Sequence, residues 1–92
     1  MNKEAAEVIA LKVIEWLAGN DELLPVFMGA TGFSADDFRA AFNTSEFQVS
    51  VLDFVMMNDA WVLEFSDVHS IPPENLMVAR HALPGGEAIN WT

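Results

Sequence analysis

An all-α fold is predicted for this chain: a compact bundle of five to six short helices around a central hydrophobic helix at about residues 46–57. Two observations carry that expectation. Apolar residues recur at helical spacing through most of the sequence, and no alternating run is long enough to make a convincing strand. Caps and stops then punctuate these segments at short intervals. The clearest case is Thr31-Gly32-Phe33-Ser34-Ala35-Asp36-Asp37-Phe38, which ends one helix and starts the next. Gly32 suits the left-handed conformation that closes a helix, and Ser34 can accept from the free amides of the following turn. Asp37 stands at capping-box spacing from Ser34, although Asp is shorter than the usual Glu or Gln. Phe33 and Phe38 occupy the two positions of a hydrophobic staple.

The first helix is expected from about Lys3 to Ala18, capped by Asn2 and stopped by Gly19. Ala5, Ala6, Ile9, Val13, Trp16 and Leu17 line its inner face, while Val8 and Leu11 fall among the charged positions. A second helix begins at Asn20 or Asp21 and carries Leu23, Leu24, Val26, Phe27 and Met28. Pro25 must lie near its first turn, where the missing amide costs little. The third helix runs from Ala35 to about Phe42, grouping Phe38, Ala41 and Phe42. Thr44 or Ser45 caps the fourth, from about Glu46 to Met57. There Phe47, Val51, Phe54 and Val55 form one stripe and Val49, Leu52 and Met56 another, leaving a narrow polar seam of Glu46, Ser50 and Asp53. A helix apolar nearly all round belongs in the middle. Asn58 and Asp59 restart the chain into a fifth helix, to about Val68, with Trp61, Val62, Phe65 and Val68 pointing inward. Pro73 favours a sixth, from about Pro73 to Ala82. Leu83-Pro84-Gly85-Gly86 stops helical structure, giving one domain over residues 1–86 and a C-terminal tail at 87–92 in which Ile89 and Trp91 are unusually apolar.

Composition sets the bounds. The 92 residues suffice for one core, and with no cysteine that core must hold by packing alone. Hydrophobic residues form 52% of the chain; with glycine the share is about 58%, above the usual 45–50%, so some apolar surface is expected to stay exposed or meet a partner. The apolar runs are too short for a membrane span, and Asn2-Lys3-Glu4 is not a signal-peptide flank, which points to the cytoplasm. Fourteen acids against four Lys and Arg give a net charge of -10. Asp21, Glu22, Asp36, Asp37, Glu46, Asp59 and Glu74 are all expected in first helical turns, where negative charge meets exposed amides. Glu4, Glu7 and Glu15 lie on the solvent side of the first helix. Mimicry of a nucleic acid or attraction to a basic partner is the alternative use of such a charge excess.

Phe27, Thr31-Gly32, Arg39, Phe47, Val51-Leu52-Asp53-Phe54, Ala79-Arg80 and Leu83-Pro84-Gly85 together resemble domain of unknown function 3572, a family of short bacterial proteins, from about Leu23 to Gly85. Val26, Gln48 and Ala60 depart from that family's pattern. The resemblance implies a small all-helical cytoplasmic protein and carries no activity with it.

Catalytic and cofactor chemistry find little purchase. There is no Cys or Tyr, and neither His69 nor His81 stands in a recognisable catalytic frame, so no catalytic residue, metal ligand or cofactor is expected. Glu74, Met77 and His81 share one side of the sixth helix, a spacing common by accident. His69 is expected to make a local backbone hydrogen bond. The glycines are not followed by the Lys and Ser or Thr of a phosphate loop, and four basic residues cannot assemble a nucleic-acid surface. Two functional readings follow. The first is interaction with a protein partner or a second copy through Met56, Met57, Trp61, Ile89 and Trp91, since methionines adapt and tryptophans anchor interfaces. The second is a small-ligand site or enzyme, built in an apolar interhelical pocket with Arg39 or Arg80 gripping a carboxylate.

Overall fold

Side-chain caps set most of the helix starts. In the computed structural model, which describes residues 1–83, Asn2 Oδ1 accepts from Ala5 N at 2.8 Å at the head of α1 (Lys3–Ala18), and Gly19 N donates to Glu15 O at its end. Asn20 Oδ1 accepts from both Glu22 N and Leu23 N ahead of α2 (Leu23–Thr31). The regular helix thus starts later than Asn20 or Asp21, because those residues form the capping turn. Asp21 and Glu22 consequently precede the first turn instead of lying in it, and Pro25 falls within it. Thr31 Oγ1 donates to Phe27 O at 2.7 Å, and Gly32 closes α2 at φ 82, where a side chain would be strained.

The capping box of α3 (Ala35–Ala41) is complete: Ser34 N donates to Asp37 Oδ2 at 2.8 Å and Asp37 N donates to Ser34 Oγ at 3.3 Å. Asp is long enough for this cap. Thr44 then opens α4 (Ser45–Met56), accepting from Phe47 N while its hydroxyl donates to Ala41 O. Asn58 opens α5 (Asp59–His69), which ends on Ser70 in the left-handed conformation. Ser66 ties down that end: its carbonyl accepts from Ile71 N at 3.2 Å and its hydroxyl donates to Ile71 O. Two prolines lead into α6 (Glu74–Ala82). These six helices, with no strand among the described residues, make the all-α bundle expected from the sequence. The tail at 87–92, with Ile89 and Trp91, lies outside the described residues.

The two longest helices form the middle. α4 packs on α1, α2, α5 and α6, and α1 packs on α2, α4, α5 and α6. The hydrophobic α4 therefore shares the centre with α1. The inner face of α1 is Ala6, Ile9, Ala10, Val13, Ile14 and Leu17, centred between Val13 and Leu17. That centring draws Ile14 inside, leaves Ala5 exposed and Trp16 half-buried, and keeps Val8 and Leu11 outside.

Phe27 joins the pieces. Its fully buried ring lies 5.9 Å from Phe33, 5.5 Å from Phe38, 5.9 Å from Phe47 and 5.2 Å from Phe54, three of these edge-to-face. Phe33 and Phe38 also meet Phe47 at 4.8 and 5.0 Å, so the staple residues are gathered on a shared pair of rings. Aromatic contacts hold α3, which buries no residue of its own. Phe42 is accordingly exposed: it caps this peripheral helix and does not join Phe38 against the core. On α5 the buried Phe65 is followed at helical spacing by His69, which stacks on it at 4.8 Å. This alignment turns Val68 outward, against expectation, and gives His69 a ring contact where a local backbone hydrogen bond was expected.

Phe27→Ala should cost about 3–5 kcal/mol, with α3 released from the bundle, whereas Phe42→Ala should stay within about 0.5 kcal/mol of the parent. Urea unfolding followed by circular dichroism distinguishes the two; comparable losses would mean that Phe27 is not the junction.

Candidate functional site: an apolar groove between α5 and α6

Helix α6 has an apolar core face and an outer face on which Met77 and Val78 stand with Glu74 and His81. Leu76, Ala79 and Leu83, at helical spacing, are buried against α1 and α4. Met77 and Val78 are thereby turned outward, 58% and 42% exposed. α5 and α6 each pack on α1 and α4 but make little contact with each other. The gap between them is a groove of about 370 Å³ lined by Met56, Val62, Pro73, Met77 and Val78, with Asp59 and Glu74 as its charged members. Met77 and Val78 also line a hollow that continues to Met1, His81 and Ala82. Past Pro73 a second hollow, about 510 Å³, is lined by Leu63, Ser66, Asp67, Ser70, Ile71 and Pro72.

The residues expected to bind a partner separate on the structure. Met56 is half-buried in the groove wall, and Met57, the cap of α4, is 74% exposed. Trp61 stacks on Phe54 at 4.9 Å and is half-buried, so its ring serves the core more than the surface. Ile89 and Trp91 fall outside the described residues. The sequence singles out Met77 only through its spacing with Glu74 and His81, and Val78 not at all. The available signal was the spacing of Leu76, Ala79 and Leu83, which places the intervening Met77 and Val78 on the far side of the helix.

The two arginines considered as ligand anchors pair with carboxylates. Arg39 donates to Asp36 at 2.7 Å on the surface of α3. Arg80 on α6 grips Asp53 on α4 through Nε to one carboxylate oxygen and through Nη2 to the other, the latter at 3.3 Å. Neither arginine lines the groove or the two neighbouring hollows. Among the described residues no three His, Asp or Glu side chains are grouped to hold a metal ion. Gln48 is the one polar residue of the described core, 1% exposed; its Nε2 donates to Phe42 O at 3.3 Å, while Oε1 has no donor.

Fold and surface together define a small all-α protein with a packed core and an open apolar groove. Residues 3–86 match the family described as protein of unknown function (DUF3572). The chain belongs to that family. No curated protein and no solved structure matches it.

Because Asp53 is about half exposed, a double-mutant cycle on Asp53→Asn and Arg80→Met should give a coupling below about 1 kcal/mol. Gln48→Met should keep or raise the melting temperature. The deleted acceptor carries a desolvation penalty of about 1–3 kcal/mol, against about 0.5–1.5 kcal/mol for the lost hydrogen bond. A clear fall in thermal unfolding would reveal a partner for Oε1.

Proposed function

We propose that this is a protein-interaction module acting in the cytoplasm, and that the groove between α5 and α6 is its docking face. One observation carries the reading: Met57, Met77 and Val78 are solvent-facing apolar side chains outside the buried core, and the last two line a groove with Met56. Methionine side chains are unbranched and polarisable, so they conform to varied apolar surfaces. The absence of cysteine suits a reducing compartment, and no described helix is long and apolar enough to cross a membrane.

A second copy is the less favoured occupant. Twofold pairing through this face would bring the same acidic residues, Asp59 and Glu74, into the interface from both sides in molecules that each carry a net charge of -10. A small carboxylate ligand is also disfavoured, because no arginine lines the groove to receive it.

A photoreactive benzophenone residue placed at Met77, in cells that naturally make the protein, should give discrete heavier adducts that are absent when the same residue replaces Lys12 on the exposed face of α1. No adduct at Met77, or identical adducts at both positions, would remove the groove as a docking face. Light scattering at micromolar concentration should give the 10.2 kDa monomer; a dimer dissociated by Met77→Glu would assign the groove to a second copy.

A further inference from the structure

We infer that the segment received by the groove is a basic amphipathic helix, an inference that rests on the groove being a docking face. Three features select this partner. The floor is apolar, from Met56, Val62, Met77 and Val78. The walls are helices: no strand edge is present among the described residues to template an added strand, and the groove lining has no aromatic ring to seat a polyproline segment and no arginine to grip a phosphorylated one, which leaves the helix-in-groove mode of recognition. The charged side chains of the groove and of the neighbouring hollow that shares Pro73 are of one sign: Asp59 and Glu74 in the first and Asp67 in the second, with no Lys or Arg in either lining.

The field survives the local compensation. Asp59 and Glu74 begin α5 and α6, where a helix terminus offers about half a positive charge, so each carboxylate is only partly offset. Asp67 lies in the last turn of α5, where the helix end adds negative potential instead. Arg80 is engaged with Asp53 and Arg39 with Asp36. Asp59 and Asp67 are separated by eight residues on α5, about 12 Å at 1.5 Å per residue. A partner helix with an apolar stripe at i, i+3 or i+4 and i+7, flanked by Lys or Arg about two turns apart, meets both the floor and the acids. The same charges repel nucleic acid and anionic lipid surfaces.

The test uses the full chain and fluorescein-labelled synthetic peptides of about 14 residues, enough for four helical turns. One peptide sets leucines on a single helical face with lysines elsewhere. A second scrambles the same residues so that no face exists, a third replaces lysine by glutamine, and a fourth replaces it by glutamate. Fluorescence anisotropy should show the ordered lysine peptide binding about tenfold or more tighter than each of the others, a difference of about 1.4 kcal/mol. Met77→Gln should weaken this binding about tenfold. The combined Asp59→Asn, Asp67→Asn and Glu74→Gln variant should weaken it and flatten its dependence on salt between low concentration and about 0.3 M. Those four positions are exposed, so the fold should persist, as circular dichroism would verify. Equal binding of the ordered and scrambled lysine peptides would overturn the inference, leaving bulk charge attraction alone. Glutamine-peptide binding as tight as the lysine peptide's, and sensitive to Met77→Gln, would also overturn it while preserving the groove as a docking face. Failure of every peptide would overturn it too, and the crosslinking at Met77 would then decide separately whether the groove docks anything.

Discussion

One ring fastens the short helices α2 and α3 to the bundle. Phe27 stands where α2, the α2–α3 turn, α3 and α4 meet, and its contacts with Phe33, Phe38, Phe47 and Phe54 bind these elements into one body. Helices of seven to nine residues are marginal in isolation, so α2 and α3 need tertiary anchorage. With no disulfide available, that anchorage is aromatic: each ring removes a large apolar area from water, and the edge-to-face geometry adds a directional preference. Gly32 serves the same junction, since its left-handed turn reverses the chain and lets Phe33 stack back on the ring that precedes it.

Several residues that carry the family resemblance have identifiable structural work. Phe27 and Phe47 belong to the ring cluster, Gly32 turns the chain, Asp53 and Arg80 join α4 to α6, and Leu83 is buried at the end of α6. Together they describe how a chain of this kind folds. The groove residues Met77 and Val78 lie outside that set.

Local rules made the helix boundaries readable. Asn2, Ser34, Thr44 and Asn58 all cap as their residue types suggest, because a cap is satisfied by amides within three positions of it. Reading failed where the outcome depended on distant packing. Phe42 continues the spacing of Phe38, but nothing in the sequence says that α3 lies at the periphery with no layer beyond it. Val68 matches the inward period of α5 as well as His69 does, and only the stack of His69 on Phe65 decides between them. Gln48 reads as polar and is buried. The groove was invisible for a related reason: it is the space left because α5 and α6 both pack on α1 and α4 instead of on each other, a relation between elements far apart along the chain.

The joint between the two groove walls has a consequence of its own. Left-handed Ser70, the doubled tie from Ser66 to Ile71 and the two prolines leave the passage from α5 to α6 few alternative backbone states. For the docking role proposed above, rims held by such a joint would surrender little conformational freedom on contact, so more of the affinity gained from burying a visitor's side chains would be retained. Rigidity at a four-residue corner would then be a form of readiness.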